Sequence, residues 1–344
     1  MSRARRTPRQ ADIARVAGVS QATVSVVLGG NRTGVRLSER TRLRVLEAAE
    51  RLGYVPDPVA TRLASARNNL LGVYTFTPAF PIDVADSYYP ILAGIEAEAA
   101  ALGQDLIMFT GSSAVPDHTR IRRTRLADGC LFLGRHVPVA AVGELMASGF
   151  PIVYIGRRTE LDGTIPCVGG DYVSASAEVV ARLVGAGHRR LRYLREPDEA
   201  PSSDDRERGV RTAAADAGLP VADLVVRTDG TDLTAATLAA WRAEGVTALV
   251  VEETDTGAVF DATQRALRSA GISVPGDVSL AVLGRPPGDP AGPEISGFEV
   301  PRREMGRAAV RLLASLLDPG RGDPAVHRLL TCPPVPGETI APVT

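Results

Sequence analysis

The chain has 344 residues, 44% hydrophobic and 23% charged, the balance of a folded protein with two or three domains and not that of a disordered or collagen-like chain. Its net charge of −1 is unevenly placed: residues 1–67 carry 13 Arg against 5 acids, net +8, and the remainder 26 Arg against 35 acids, net −9. That split predicts a nucleic-acid-binding head on an acidic body, and without a run of about 18 apolar residues no membrane span is expected.

Residues 1–56 read as three short helices separated by Gly and Asn signals. In QADIARVAG-VS-QATVSVVLGG, Ala14 and Ala17 let two helices cross closely, Gly18 makes the tight connection, and Ile13, Val19, Val24 and Leu28 form a shared core. Gln21, Ala22, Ser25 and Val26 are left on the outer face of the second helix, which Ser20 can cap. A third helix is expected from Ser38 to near Gly53. Residues 57–68, with Pro58 early in them, read as a hinge.

From Leu70 onward short apolar runs alternate with amphipathic helices: LLGVYTF, ILAGIEAEAAALG, DLIMFT, DGCLFLG, and so on to VSLAVLG. Strands separated by helices of 10–15 residues imply parallel sheets with right-handed crossovers, and about 275 residues of this rhythm imply two lobes. The fold class expected is therefore an all-α helix-turn-helix head plus an α/β body of two parallel-sheet lobes. The first lobe is expected to cover about 69–168 and 298–325, and the second about 169–297 and 326–344. The C-terminal PAVHRLLTCPPVPGETIAP has too much Pro for a long helix.

Reactive chemistry is sparse. The four histidines, His118, His136, His188 and His327, and the three cysteines, Cys130, Cys167 and Cys332, are scattered without metal-ligand spacing. There is no Gly-rich phosphate loop, and a chain without lysine cannot form a Schiff base. No catalytic residue, metal or cofactor is expected, and the cleft between the lobes is read as a binding site. The start MSRARRTPRQ has no apolar core behind its basic residues, so the expected location is the cytoplasm.

The stretches DIARVAGVSQATVSVVLGG and LSERTRLRVLEAAERLGYVPDPVATRLAS closely resemble the LacI-type family of bacterial transcriptional repressors. Weaker landmarks continue in order through the body: LAGIEAEA, Asp128-Gly129, GAGHRRL, the ERG ending at Gly209, and VPGDVSL. The resemblance implies a periplasmic-binding-protein-like body, a homodimer on double-stranded operator DNA, and a small polar effector, sugar-like or a nucleoside, in the cleft; the Arg added after the strands PIVYI and VSLAV would also suit a phosphorylated one. It gives the base-reading role to Gln21, Ala22 and Val26. Gln21 can bond adenine N6 and N7, whereas Ala22 and Val26 can only touch apolar surface such as a thymine methyl. Val26 stands where the family usually has Arg, so a different operator base at that step, or weaker selectivity there, is expected.

Ser20, Thr23, Ser25 and Tyr54 take phosphate contacts by the same resemblance. In the hinge Leu63 becomes a minor-groove wedge, Ala60 permits close approach of two hinge helices, and Arg62 supplies backbone charge. The effector contacts implied are Tyr88, Tyr89, Arg157, Asp171, Arg206, Asp255 and Arg285. Asp171 and Asp255 could equally be helix caps, Arg206 a surface ion pair and the tyrosines core. Two departures remove usual carboxylates: Gly156-Arg157 after the strand PIVYI, and Leu283-Gly284-Arg285-Pro286 after VSLAV.

Overall fold

A computed structural model describes residues 8–28, 37–54, 67–76, 88–110, 117–134, 137–254, 257–284, 293–318 and 326–343. The chain divides into two compact units, Met1–Asn68 and Asn69–Thr344.

The first unit contains α1 (Gln10–Ala17), α2 (Gln21–Leu28) and α3 (Glu39–Leu52). Gly18, at φ 63°, ends α1 in the left-handed conformation that a side chain disfavours, and α2 departs at 107° to α1. This is the crossing of a helix-turn-helix. Ser38 caps α3 by accepting from the Thr41 N–H, and Gly53 closes it at φ 61°. Ile13, Ala17, Val24, Val45 and Ala48 form the core, with Val19, Leu28 and Tyr54 packed on it half-buried.

In the second unit the expected rhythm forms two six-stranded sheets. The first has the order β11-β5-β4-β3-β1-β2, all parallel. Its strands are β1 (Leu70–Thr75), β2 (Asp105–Phe109), β3 (Gly129–Leu133), β4 (Ile152–Ile155), β5 (Cys167–Gly170) and β11 (His327–Leu330). Alternation along β3 sends Leu131 and Leu133 toward α4 (Tyr88–Ala101) and α11 (Arg302–Leu317). Cys130 and Phe132 go toward α5 (Asp117–Arg122) and α6 (Val139–Ala147). Both faces are covered, as a parallel sheet requires.

The second sheet has the order β12-β10-β9-β8-β6-β7. It comprises β6 (Leu191–Arg195), β7 (Val225–Arg227), β8 (Ala248–Glu252), β9 (Ser279–Leu283), β10 (Ser296–Phe298) and an antiparallel β12 (Pro334–Val335). Helices α7 (Tyr172–Gly185) and α8 (Pro201–Asp216) cover one face, and α9 (Ala235–Ala243) and α10 (Ala258–Ala270) the other.

Two expectations need correction. The sequence reading starts the second lobe's last segment at 326, but His327–Leu330 pairs with β5 in the first sheet, so the chain returns to the second sheet only after Leu330. A short parallel strand needs only backbone pairing, and a Pro-rich neighbourhood hides it. Helix α11 is also absent from that reading, yet its Met305, Ala308, Ala309, Leu312 and Leu313 are buried against the first sheet at helical spacing. The chain therefore passes between the lobes three times, after β5, after β10 and after β11.

Candidate functional site

On α2 of the head, Gln21, Ala22 and Ser25 are exposed, Thr23 and Val26 are half-buried, and Val24 is buried. The hydroxyl of Ser20 accepts from the Thr23 N–H at 3.1 Å, and the two hydroxyls lie 2.9 Å apart. The cap therefore fixes the first turn of the outward-facing helix, at the N-terminal end where a phosphate is favoured. Tyr54 packs half-buried on the three-helix core. Ala60, Arg62 and Leu63 lie outside the described residues.

Between the two lobes of the body is a cavity of about 140 Å³. Parallel strands direct their C-terminal ends, and the helix N-termini that follow them, to the same edge, and the cavity lies there. The first lobe contributes Tyr88, Gly134, Arg157, Arg158 and Arg302; the second contributes Tyr172, Ser202, Arg206, Glu252 and Glu253.

The second-lobe wall is a buried ionic network. Residues 191, 193 and 195 of β6 and 248, 250 and 252 of β8 face α7 and α8, which brings Tyr193, Arg195 and Glu252 beside Ser203 and Arg206 of α8. Glu252, 2% exposed, accepts from the Tyr193 hydroxyl at 2.7 Å and the Ser203 hydroxyl at 2.5 Å. Its carboxylate also lies 3.6 Å from Arg206 Nη1. Arg206, 4% exposed, donates to the carbonyls of Leu283 and Ser202, and its guanidinium lies 4.1 Å from the Tyr172 ring centroid. Burial, the largest single influence, lowers the Arg206 pKa, but Glu252, Tyr172, Glu253 and Tyr193 together outweigh it and the net shift is upward. Burial, reinforced by the Glu252 charge, pushes the Tyr193 hydroxyl well above its ordinary value. Arg206 is thus a built cation of the cleft wall and not a surface ion pair.

Two ion pairs join the walls. Arg157, after β4, holds Asp205 of α8 through two hydrogen bonds, Nε to Oδ2 at 2.5 Å and Nη2 to Oδ1 at 2.7 Å. Arg302, first residue of α11, donates to Glu253 Oε2 at 2.8 Å. Arg158 stacks 4.1 Å from the Tyr154 ring centroid and donates to the Gly134 carbonyl.

Of the expected effector contacts, the structure brings Tyr88, Arg157 and Arg206 to the cavity. Tyr89 does not line it: the next residue on a helix is turned by about 100°, and Tyr89 is 66% exposed. Asp171 does not line it either. Its carboxylate caps α7 by accepting from the Ser174 N–H at 3.1 Å, the alternative role the residue type allowed. Asp255 and Arg285 lie outside the described residues. Sequence reasoning missed Arg158, Tyr172, Glu252, Glu253 and Arg302. The signal for the glutamates was a charged doublet ending the apolar run ALVV; that for Arg302 was its place at the start of the overlooked α11.

Among the described residues no group of three His, Cys, Asp or Glu could hold a metal, and no single helix is long and apolar enough to cross a membrane. All three cysteines are buried free thiols, and burial pushes Cys332 up to about 11.

Residues 11–57 match the sequence profile of bacterial regulatory proteins of the lacI family, and residues 180–340 that of the periplasmic binding protein-like domain. Catabolite control protein A of Priestia megaterium is 29% identical over 339 residues, covering 92% of this chain and 95% of its own. The HTH-type transcriptional regulator CelR of Thermobifida fusca is 28% identical over 323 residues, covering 90% and 92%. A solved CelR–cellobiose complex superposes with a TM-score of 0.63 at 25% identity, over 96% of this chain and 99% of that one. The Lac repressor dimer bound to operator and an anti-inducer has the same fold, with a TM-score of 0.72 at 22% identity, over 98% of this chain and 100% of its own. These relatives are transcriptional regulators and not enzymes, and this chain has both of their parts, a head of the lacI family of bacterial regulatory proteins over residues 11–57 and a periplasmic-binding-protein-like body: it is a transcriptional regulator of that make-up.

Proposed function

We propose that the protein is a repressor that binds double-stranded operator DNA as a homodimer in the cytoplasm, and that a sugar or sugar derivative in the interlobe cleft sets its affinity. The observation that carries this reading is the exposed face of α2, with Gln21, Ala22 and Ser25 open to solvent on a capped helix in a head of net charge +8. Such a helix enters the major groove by its N-terminal residues. Gln21 reads adenine, Ala22 and Val26 meet apolar base edges, and Ser20, Thr23, Ser25 and Tyr54 hold phosphates. Two heads on a near-palindrome require a two-fold dimer. In the hinge Leu63 wedges between base pairs, with Ala60 and Arg62 beside it. Tyr88, Arg157 and Arg206 contact the effector, and Asp255 and Arg285 are further candidates from the sequence. The cellobiose held by the CelR relative supports a carbohydrate-like effector, and a cavity of about 140 Å³ favours a single ring.

The test is retention of genomic fragments by the purified full-length protein at moderate salt, followed by sequencing, with Leu63→Ala in parallel. A shared near-palindromic site with a central pyrimidine–purine step, weakened in the variant, is expected. Retention without a shared sequence would overturn the reading, because it would mean that the head neutralises phosphates alone.

A further inference from the structure

Four arginines line the cleft, and each faces a carboxylate: Arg157 faces Asp205, Arg158 faces Glu160, Arg206 faces Glu252 and Arg302 faces Glu253. The charge of the cleft is thus balanced from within. Arg158 and Glu160 both belong to the first lobe, and Arg206 and Glu252 both to the second. The other two pairs cross, and in both the first lobe supplies the guanidinium and the second the carboxylate.

Both crossing pairs depend on the glycines that stand where the sequence departs from its resemblance. Gly156, at φ 112°, turns the chain out of β4 in a conformation that a side chain disfavours, and Arg157 follows it. Gly284, at φ 133°, follows β9 and lies beside Glu253. A Cβ there would come within 2.2 Å of Glu253 Oε2, the oxygen that accepts from Arg302. A side chain at 284 would therefore push that carboxylate off its partner.

The crossing pairs are also sheltered. The Asp205 side chain is 4% exposed, takes both hydrogen bonds from Arg157 and is held in its own helix by Arg208. Glu253 and Arg302 are 12% and 18% exposed. Charges withdrawn from water in this way are little screened by salt, and a bidentate pair fixes orientation as well as distance. Each lobe is a packed sheet that moves as a body, so what a crossing pair restricts is the rotation of one lobe on the other.

We propose that the pairs Arg157–Asp205 and Arg302–Glu253 form a clasp that holds the lobes in the operator-binding arrangement with no small molecule present. The protein then occupies its operator by default and leaves it when the clasp opens. Two heads must meet half-sites a fixed distance apart. Opening the clasp spreads the lobes over several arrangements, and the smaller competent fraction weakens the operator in proportion. This rests on the operator-binding regulator proposed above and adds to it the direction of control.

The test uses the full-length protein with no effector added. Anisotropy measures its affinity for the operator selected by genomic retention and for random DNA. Wild type is expected to bind the operator unaided. Arg157→Gln and Glu253→Gln are each expected to weaken the operator about fivefold or more and to leave random DNA unchanged. Arg157→Gln combined with Asp205→Asn should lose less than the product of the two single losses, because both remove the same pair. Hydrogen exchange reads the clasp without DNA: in both variants exchange should rise over residues 156–158, 200–206 and 301–305 while the strands stay as in wild type. In wild type those segments should be equally protected with and without operator, a measurement that needs no variant. Protection that rises on operator binding would mean that the clasp closes only on DNA and would overturn the proposal. So would operator affinity unchanged in both variants, or exchange at the cleft unchanged in both. Should wild type select a DNA site only when a low-molecular-weight bacterial cell filtrate is added, the clasp is refuted and the regulator reading stands. No selected site with or without the filtrate sinks the regulator reading, and this proposal with it.

Discussion

The two lobes are built by the same strand-helix recipe but fill their cleft-side interiors differently. In the first, Tyr74, Phe76, Phe132 and Tyr154 pack with ring centroids 4.8–6.4 Å apart, and Arg158 is its one buried charge among the described residues. In the second, Arg192, Arg195, Asp205, Arg206 and Glu252 are all buried. Apolar stacking tolerates loss of a partner better than a desolvated charge does. The second lobe thus presents a wall whose charges are fixed in place by one another, and the first presents cations that reach across to it.

The largest effect expected is at the centre of that network. Glu252→Ala removes the carboxylate paired with the buried Arg206 and should cost about 3–5 kcal/mol. Urea denaturation followed by the fluorescence of Trp241, the single tryptophan, reads this out in the second lobe itself. Arg158→Met in the first lobe keeps an apolar chain over Tyr154 and should cost less than half as much; equal losses would erase the contrast drawn between the lobes.

Both lobes also depend on close helix crossings, and here they should behave alike. A Cβ on Gly94 of α4 would lie 2.0 Å from the Arg303 carbonyl oxygen, and one on Gly209 of α8 would lie 2.3 Å from that of Val173. Backbone cannot turn aside as a side chain can, so Gly94→Val and Gly209→Val should each cost about 3 kcal/mol. Thermal melts check this, and a loss below about 1 kcal/mol in either would mean that the helices slide apart freely.

In the head Ser20→Ala removes the α2 cap and should cost about 1 kcal/mol there. The helical signal should melt earlier while the Trp241 transition stays in place.

The smallest effect is a pH dependence of the second lobe. His188 Nε2 donates to the Ala341 carbonyl at 3.1 Å and Nδ1 accepts from the Thr247 hydroxyl at 2.8 Å. Burial, the first cause, lowers its pKa below the ordinary 6.5. The unfolded chain therefore takes up the proton first as pH falls, and stability is lost from below about 6.5 toward the lowered value. His188→Gln should flatten that slope in melts between neutral pH and pH 5; an unchanged slope would remove His188 as its source.

How much the sequence revealed differed in the same way between regions. Apolar periodicity, Gly18, Ser20, Ser38 and Gly53 marked the head, because caps and turns are local. Strands β1 to β9 were legible as apolar runs for the same reason, whereas the short β10, β11 and β12 were not. Gly94 and Gly209 stood out as landmarks of resemblance, and the structure supplies their cause in two helix crossings. The cleft was half legible. Position led to Arg157 and Arg206, which line the cavity, but Tyr89 and Asp171 were not separable from lining residues, since helix phase and capping decide that. Arg302 and Glu253 meet across 49 residues of sequence, and no local pattern predicts which charge answers which.

The most direct test of the account is the affinity of the selected operator for wild type and for Gln21→Ala, measured by fluorescence anisotropy across a salt series with random DNA beside it. The account predicts that the variant loses about 1–3 kcal/mol on the operator alone, with an unchanged salt slope and unchanged affinity for random DNA. An equal loss on both DNAs, or no loss on either, would contradict the claim that α2 reads bases.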